Sequence, residues 1–483
     1  MERVRCSPDS SGDLLETLRA LIPTNGVIAV GGMSGSSLPK VFPKVLKELL
    51  RGGDYSITLL TGGATSESFE ESISEVSGSF KARYPFLSGG VHRDMANSLS
   101  LRFFDYGLYK FNRMVRNGSF SIDLAVIEGT AIDDQCRVTP SLSLDSSTSF
   151  LKVARKVVVE VNVSKPDLEG IHDVVDVDGP ISLTRVRDRI GSPKIRIPKD
   201  KISGVVISDS KESSSGAYKT PSVAEERVSR NLMDFLVQEI GKGHTRELYE
   251  RSRFVIQPGA GSLSSAMSTE VQERDMRVSI WAETLPVKWA FLLGEKVDSI
   301  TSSALFALHG EERYLEEFYQ AFSMFKDLTI RGQEVTNNPE VIQRLELVSI
   351  LQAIEVDIYG NVNVSHIGGK VYNGVGGSVD FAPNAYLTVI ALPSTTSNGR
   401  VSRVSPMVSH VDIPEHYVDV VVTDQGYADL RGLSPSERAE LLIEKCAHPT
   451  FKDSLLKYHE KVKLKGHEGH DLVEMSRIWG VIA

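Results

Sequence analysis

Short, wholly apolar segments recur along the chain, and most of them end in Gly, Ser or Asp. β-Branched runs of this length are typical of strands buried on both faces, as in a parallel sheet. Amphipathic stretches lie between them at 38–53 and 223–243, and their apolar spacing predicts helices that finish in glycine. This alternation predicts an α/β protein built on open sheets. The predicted strands cover 26–32, 56–63, 123–130, 156–163, 204–210, 253–261, 277–283, 298–308, 385–394 and 418–426.

A change of composition divides the chain in the middle. The stretch DSKESSSGAYKTPSV at 209–223 has no apolar periodicity, which is typical of a linker. We therefore expect one α/β domain over 1–220 and a second over 221–483, in keeping with the length of 483 residues. Each half opens with a predicted helix and then a strand that ends in a glycine-rich loop, VIAVGGMSGSS or FVIQPGAGSLSSAM. This similarity suggests that the two domains are related.

Composition excludes several classes of protein. The net charge of -9 gives no electrostatic support for binding nucleic acid. The first residues lack the apolar segment of a signal peptide, and the apolar runs elsewhere are too short to span a membrane. Cys6, Cys136 and Cys446 are widely spaced and form no metal-binding pattern. They therefore predict reduced thiols in a cytoplasmic protein.

The stretch NGVGGSVDF at 373–381 brings three glycines close together. A phosphate-binding P-loop needs Lys and Ser or Thr after its last glycine, and no lysine follows here. A dinucleotide fingerprint needs a third glycine at the sixth position, which is Val379 when counted from Gly374. The remaining interpretation is a loop that presents backbone N–H groups to a developing oxyanion.

An oxyanion site requires a nucleophile, and no GxSxG or HExxH motif is present. A carboxylate can serve instead, and Glu128, Glu283 and Asp424 each stand at the end of a predicted strand. Open α/β sheets bind ligands at such strand ends, although an acid there is also a common helix cap or turn residue. The residue pattern alone leaves all three open.

Metal ligation is the other chemistry to consider. His410, Asp412 and His416 are ligand types within one short stretch, PMVSHVDIPEHYVD. Their spacing matches no established zinc signature, so turns or packing explain them better. The sequence therefore predicts no metal site.

Three stretches resemble the acetyl-CoA hydrolase/transferase family of class I CoA-transferases. The succinyl-CoA:acetate CoA-transferase branch is the most similar, and the resemblance extends through 181–209 and 336–345 to nearly the whole chain. It implies two α/β domains of the CoA-transferase (NagB/RpiA-like) fold, an active site in the cleft between them and a homodimer. The three stretches are AIEVDIYGNVNVSHIGG, NGVGGSVDFAPNAYL and PMVSHVDIPEHYVDVVVTDQGYADLRGLSPSERAELLIEKCAHP.

The resemblance also implies roles for individual residues. Glu283 matches the family's nucleophilic glutamate, Gly376 or Gly377 its oxyanion-binding glycine, and Ala260 lies near a second N–H donor. Glu355, in the well-matched IEVDIYGN stretch, is interpreted as structural. Acyl-CoA and a small carboxylate are the implied substrates, and no cofactor or metal is required. The residues assigned to substrate and CoA binding are Asn337, Asp424, Gly259, Gly261 and Gly374.

The chain departs from the family pattern in four places. The loop PGAGSLSSAM stands where the family usually has Ser-Gly-x-Gly and then Asn or Thr. Ala282 replaces a hydroxyl residue before the nucleophile, Pro286 replaces glutamine, and Asp424 is one methylene shorter than the usual glutamate. The leading hypothesis is CoA transfer between a short-chain acyl-CoA and acetate or succinate through a glutamyl-CoA thioester. The alternatives are hydrolysis of an acyl-CoA thioester at the same site, and a non-catalytic acyl-CoA-binding protein.

Overall fold

The computed structural model describes residues 3–6, 14–63, 66–87, 89–175, 179–212, 219–396 and 398–475. The middle of the expected linker, 213–218, lies outside the described residues. None of the described helices is long and apolar enough to cross a membrane.

The first half forms one twisted sheet with helices packed against it. Its helices are α1 (Leu14–Leu21), α2 (Phe42–Leu50), α3 (Glu67–Ser74), α4 (Gly90–Asn97), α5 (Leu108–Arg116) and α6 (Ser147–Val153). Its strands are β1 (Val27–Val30), β2 (Ile57–Thr61), β3 (Phe80–Tyr84), β4 (Arg102–Phe103), β5 (Leu124–Ile132), β6 (Arg137–Pro140), β7 (Lys156–Asn162), β8 (Ile195–Arg196) and β9 (Ile202–Ser208).

The second half repeats this arrangement and adds short hairpins. Its helices are α7 (Val223–Glu239), α8 (Gly243–Glu250), α9 (Gly261–Glu273), α10 (Glu312–Ala321), α11 (Gln333–Thr336), α12 (Pro339–Leu345), α13 (Ser378–Phe381), α14 (Pro435–Cys446) and α15 (Pro449–Val462). The strands of its main sheet are β10 (Val255–Gln257), β11 (Val278–Pro286), β12 (Val297–Phe306), β13 (Leu328–Ile330), β14 (Val348–Gln352), β19 (Leu387–Ala391), β23 (Val420–Thr423) and β24 (Gly426–Asp429). Its shorter strands are β15 (Glu355–Asp357), β16 (Val362–Asn363), β17 (His366–Ile367), β18 (Lys370–Val371), β20 (Thr395–Thr396), β21 (Val401–Ser402) and β22 (Val404–Ser405).

Both sheets place their parallel strands in the same order. The first contains β4-β3-β2-β1-β5-β7-β9, and the second contains β13-β12-β11-β10-β14-β19-β23. Three strands pair antiparallel: β6 with the end of β5, β8 with β6, and β24 with β23. The α/β class with open, mostly parallel sheets is confirmed, and the similarity of the halves extends from their glycine-rich loops to their topology.

The helices form where the sequence offers an apolar stripe and a cap. Helix α7 begins at a capping box in which Ser222 and Glu225 exchange hydrogen bonds, and it buries Val228, Leu232 and Phe235 at helical spacing. Most strands predicted as wholly apolar are buried along their length, as the pattern of β5 shows, whereas β9 is only partly buried and exposes Ile207. Helices therefore cover the faces of each sheet, and the carboxyl-terminal ends of its strands stay accessible to loops.

The carboxyl-terminal ends of the two sheets face each other. The backbone N–H of Leu144 donates to the carbonyl of Ser303 at 3.0 Å, and that of Leu305 donates to Leu142 at 2.9 Å. Gln333 reaches across to the carbonyl of Gly62 at 2.7 Å. Loops from both halves therefore meet in one cleft, at the sheet edge where α/β proteins bind their ligands.

The prediction of reduced thiols is wrong for two of the three cysteines. Cys6 and Cys136 form a disulfide with their Cα atoms 5.2 Å apart, whereas Cys446 is free and buried. The segment before Cys6 runs beside the end of β5, where the N–H of Arg5 donates to Ile132 at 2.9 Å. A sequence separation of 130 residues conceals this contact, because only the tertiary fold brings the two segments together.

Candidate active site

Glu283 lies near the carboxyl-terminal end of β11, half-buried in the wall of a cavity. The cavity has a volume of about 220 Å³ and is lined by both halves of the chain. Met33, Ser34 and Phe86 come from loops of the first half. The second half contributes Glu283 itself, Gln352 and the NGVGGSVDF loop.

Asn337 fixes the orientation of the Glu283 carboxylate. Its Nδ2 donates to Glu283 Oε2 at 2.8 Å and to Asp380 Oδ2 at 3.0 Å. The residue is fully buried at the end of the short helix α11, which packs against β11 and β12. One amide group therefore holds two carboxyl groups in a buried environment.

Asp380 joins the site to the first half of the chain. Its Oδ2 accepts the backbone N–H of Tyr109 at 3.2 Å, in the first turn of α5. A β-carbon at Gly107 would lie 2.8 Å from the Asp380 carboxylate, so this approach requires glycine. The carboxyl group thus caps a helix of the opposite half, as side chains at helix N-termini commonly do.

The glycine loop lies directly against the Glu283 carboxylate, beside Asn337. The backbone N–H of Gly377 donates to the Glu283 carboxylate. A β-carbon at Gly377 would lie 1.7 Å from Glu283 Oε2, and Gly376 has a φ of +58°. Both positions therefore need glycine, one for the close approach and the other for its left-handed backbone conformation.

Contacts with the first half hold this loop in place. The N–H of Gly374 donates to the carbonyl of Leu87 at 2.8 Å, and the N–H of Val375 donates to Asp105 Oδ2 at 2.9 Å. A β-carbon at Gly374 would lie 2.5 Å from the ring of Phe86. The loop is thus fixed between the halves before any ligand binds, which is the preorganisation an oxyanion site needs.

The environment raises the pKa values of both carboxyl groups. Burial raises the pKa of Glu283 to about 8, and the negative charge of Asp380 adds to the effect. The hydrogen bonds from Asn337 and Gly377 act in the opposite direction on the Glu283 pKa. Burial likewise raises the pKa of Asp380 to about 7. Perturbed carboxyl groups in a cleft are typical of catalytic sites.

The loop after β10 places some of its predicted residues on the same cavity. Gly259 and Ala260 line it, whereas Gly261 begins α9 and is not among the lining residues. Gly259 has a φ of +69°, and a β-carbon there would lie 2.9 Å from the carbonyl oxygen of Ile350. The side chain of Gln352 donates to the Ala260 carbonyl and holds the loop against β14.

Asp424 does not line the cavity around Glu283. Its Oδ1 accepts the N–H of Ser394 at 2.5 Å, and its Oδ2 accepts Gln425 Nε2 at 2.7 Å. It therefore fastens the end of β23 to the segment that follows β19. The structure does not bring this residue to the nucleophile, and its assignment to substrate binding stays a prediction.

The other carboxylates considered as nucleophiles are bound by neighbouring groups. Glu128 is buried and forms an ion pair with Lys165, and its Oε2 also accepts Asn162 Nδ2 at 3.0 Å. Glu355 Oε1 accepts Asn363 Nδ2 at 2.8 Å and Ser409 Oγ at 2.7 Å, in keeping with a structural role. Neither lines the cavity, which leaves Glu283 as the candidate.

The departure at Ala282 has a simple structural explanation. Successive side chains of a strand point to opposite faces, so residue 282 points away from the side that carries Glu283. Ala282 is fully buried in the apolar core and pairs with Ser302 of β12. A hydroxyl group here would therefore face the core rather than the cavity. Pro286 ends β11 opposite Phe306 and also lies outside the lining.

Sequence reasoning did not identify Asp380, Phe86 or Gln352. Asp380 stands inside the NGVGGSVDF stretch, and a carboxylate directly after a glycine-rich loop was a signal that could have found it. Phe86 and Gln352 carry no such signal. Gln352 also lines an adjoining cavity of about 210 Å³ that contains Arg403.

The two halves of the chain match the two domains of one known protein family. The acetyl-CoA hydrolase/transferase N-terminal domain matches residues 15–188, and the C-terminal domain of the same family matches residues 315–459. A succinyl-CoA:acetate CoA-transferase of Clostridium kluyveri is 33% identical over 91% of this chain and 83% of its own length.

An acetyl-CoA hydrolase of Schizosaccharomyces pombe is 31% identical, over 91% of this chain and 89% of its own length. The crystal structure of a 4-hydroxybutyrate CoA-transferase from Porphyromonas gingivalis has a TM-score of 0.63 at 19% identity, covering 96% of this chain and 98% of its own. That structure supports the fold. The two relatives cover most of the chain, and one is named a CoA-transferase and the other a hydrolase.

Proposed function

Because this chain belongs to the acetyl-CoA hydrolase/transferase family and is therefore an enzyme, we propose that it transfers CoA from a short-chain acyl-CoA to a small carboxylate of the acetate or succinate class. The observation that carries the proposal is the position of Glu283. Its carboxylate faces the cavity while Asn337 and the N–H of Gly377 hold it. A homodimer and a cytoplasmic location stay predictions of the family resemblance and the sequence.

In the proposed mechanism the Glu283 carboxylate attacks the thioester carbonyl. The C–S bond breaks, leaving a mixed acyl–glutamyl anhydride and CoA thiolate. The thiolate then attacks the glutamyl carbonyl and releases the first carboxylate, which gives a glutamyl-CoA thioester. The acceptor carboxylate attacks this thioester and displaces the thiolate. The thiolate attacks the new acyl carbonyl, and acyl-CoA and free Glu283 are formed.

Every step passes through a tetrahedral oxyanion, so a fixed backbone donor stabilises each transition state. Gly377 supplies such a donor at the carboxylate itself, which becomes the glutamyl carbonyl in the thioester steps. Gly259 and Ala260 bring a second loop to the lining of the same cavity. We assign Ala260 as the second donor, on the basis of this position and the family resemblance.

The dimensions of the cavities support a short acyl group with an extended CoA arm. The cavity at Glu283 is about 220 Å³, and the adjoining cavity of about 210 Å³ shares Gln352, Val364 and Asn373 with it. In our proposal the pantetheine arm occupies the second cavity, which Arg403 and Glu225 also line. Binding energy from the distant parts of CoA can then be used to lower the barrier at the reacting carbonyl.

Hydrolysis is the second candidate, because relatives of similar identity are named acetyl-CoA hydrolases. Water would then resolve the anhydride or the glutamyl-CoA thioester in place of a carboxylate. CoA release measured with and without acetate or succinate separates the two activities. A transferase shows ping-pong kinetics and forms a new acyl-CoA only when the acceptor is present.

Mass spectrometry of the peptide containing Glu283 tests the common intermediate. We expect a CoA thioester on this residue after the protein is mixed with an acyl-CoA, and an alcohol in its place after borohydride reduction. An adduct on Glu128 or Glu355 would contradict the assignment. An adduct on Glu283 would also exclude a purely non-catalytic acyl-CoA-binding protein.

The pH dependence of kcat/KM follows from the raised carboxyl pKa values. Only ionised Glu283 is a nucleophile, so kcat/KM is expected to rise with pH and level off above about pH 8. Burial raises the pKa of Asp380 to about 7, and Asn337 donates to both carboxyl groups. The apparent pKa of the profile therefore belongs to Glu283 and Asp380 together and falls between about 7 and 8. Steady-state rates from pH 5.5 to 9 would check this. A profile already level at pH 6 would show that Glu283 ionises normally.

Replacing Asn337 with alanine should move this profile and slow turnover. The amide lowers the pKa of both carboxyl groups, so its loss is expected to shift the acidic limb to higher pH. Loss of one donor should also reduce kcat by about 100-fold. Asn338→Ala is the matched control, because Asn338 caps α12 by accepting from Glu340 and does not contact Glu283. That variant should lose stability but keep the profile, and an equal shift in both variants would contradict the role of Asn337.

A further inference from the structure

A cluster of metal-ligating side chains lies beside the active-site loop. His366, His410 and Asp412 each place one ligand atom within 4.8 Å of the others, as found among the residues that the structure describes. The two imidazole rings have centroids 3.9 Å apart, and His410 Nε2 lies 3.2 Å from Asp412 Oδ1. The Asp412 side chain is 6% exposed and that of His410 is 44% exposed, so the cluster opens to solvent on one side.

The structure changes which residues form this group. The sequence placed His410, Asp412 and His416 together and predicted no metal. In the fold His416 is exposed and pairs with Glu415 at 2.9 Å, outside the cluster. His366 takes its place from the β17–β18 hairpin, more than forty residues earlier in the chain. Local spacing in the sequence could not reveal such a set.

A supporting hydroxyl group orients two of the three side chains. Ser365 Oγ lies 2.6 Å from His366 Nδ1 and donates to Asp412 Oδ2 at 2.8 Å. With Nδ1 engaged, Nε2 of His366 is the nitrogen available to a ligand. Asp412 Oδ2 also accepts the N–H of Val364 at 2.7 Å. Metal-binding histidines and carboxylates are typically held by such neighbouring hydrogen bonds.

We propose that His366, His410 and Asp412 bind a divalent transition-metal ion, with Zn²⁺ as the best match. Two imidazole nitrogens and one carboxylate oxygen are a donor set suited to zinc, with water as the fourth ligand. Ligand atoms around tetrahedral zinc lie about 3.4 Å apart. The His410–Asp412 pair is already at 3.2 Å, and the ligand atom of His366 lies within 4.8 Å of both.

The ion would act on the loop that carries the oxyanion donor. Strand β18 is followed at once by Tyr372 and Asn373, whose N–H groups both donate to the carbonyl of Ser365 at 2.8 and 3.1 Å. Val364, bound by Asp412, lines the cavity at Glu283. Zinc would tie the hairpin to the segment at 409–412 and thereby restrain the approach to Gly376 and Gly377. The ion would position this loop and take no part in the reaction.

Zinc titration of the full-length protein tests the binding. Protein treated with a chelator should take up one Zn²⁺ per chain by calorimetry and elemental analysis. His410→Ala removes a ligand and should weaken Zn²⁺ affinity by at least roughly 10–100-fold. That is the loss typical of mutating a residue that only supports a metal ligand. His416→Ala is the matched control and should bind as the wild type does. Because the readout is metal affinity, it is independent of Glu283 chemistry and can be repeated in Glu283→Gln.

Hydrogen exchange of the wild-type protein gives a second readout that needs no variant. Addition of Zn²⁺ should slow exchange at 363–377 and leave α7 unchanged. Failure of the wild type to bind zinc at micromolar concentrations, or equal binding by His410→Ala, would overturn the site. The site would also be overturned if several Zn²⁺ ions bound weakly and if His410→Ala and His416→Ala changed Zn²⁺ affinity equally. That result would mean adsorption to the surface. Binding without protection of 363–377 would refute the action on the loop.

Discussion

Replacing Glu283 with glutamine is expected to lower kcat by roughly 10⁴–10⁶-fold, the loss typical of removing an enzyme's nucleophile. Glutamine has nearly the same shape and keeps an oxygen for the Asn337 and Gly377 donors, so the cavity should be preserved. The neutral amide cannot form the anhydride. The dissociation constant for acyl-CoA should therefore change little, and the CoA adduct on this peptide should disappear.

Two measurements distinguish loss of the nucleophile from an indirect effect of the substitution on folding. Thermal unfolding of Glu283→Gln should show a Tm equal to or above that of the wild type, since the variant removes a carboxyl group whose pKa is raised in the fold. Glu355→Gln is the matched control, because Glu355 sits in the family-matched stretch but bonds only structural neighbours, including Ser409. It should retain activity. Turnover of Glu283→Gln above about one per cent of wild type would argue for another nucleophile.

Adding a single methyl group at Gly377 should cost about 10³-fold in kcat. The β-carbon would lie 1.7 Å from Glu283 Oε2 and 2.6 Å from Asn337 Nδ2, so the loop must withdraw. Withdrawal removes the N–H donor, which is worth about 10²–10³ at an oxyanion site, and it disturbs the nucleophile as well. Affinity for CoA should fall much less, because Gly377 does not line the adjoining cavity in which we place the pantetheine arm.

A comparison of kcat with CoA affinity distinguishes this mechanism from misfolding. Gly78→Ala is a suitable control, since a β-carbon there meets nothing within 4 Å. It should leave both quantities unchanged. If Gly377→Ala kept full kcat, the oxyanion role of this loop would be wrong. If kcat and CoA affinity fell in parallel, the loop would act in binding rather than in the chemical step.

Much of the secondary structure could be predicted because it depends on local pattern. Strands β5, β11 and β12 are rich in apolar and β-branched residues and almost wholly buried, and such runs are recognisable without any tertiary information. Short strands were missed for the opposite reason. β4 has only two residues, one of them exposed, and it is a strand only because β3 lies beside it.

Some features of the candidate site could likewise be predicted from local pattern, and others depend on the tertiary structure. The glycine loop could be assigned to oxyanion binding because glycine spacing and the absence of lysine exclude nucleotides locally. Glu283 stayed one of three candidates by residue pattern, and the family resemblance selected it. The structure separates the three physically, since Glu128 is neutralised by Lys165 and Asp424 is engaged in a turn. Glu283 alone of them lines the cavity.

The sequence by itself determined the class of fold, the glycine loop and the family, because each depends on residues close together in the chain. The tertiary structure decided which distant groups meet. It paired Cys6 with Cys136, placed Asp380 against α5 of the other half, and exchanged His416 for His366 in the histidine cluster. It also set the pKa of Glu283, because burial and the charge of a neighbour depend on the packed interior rather than on residue identity.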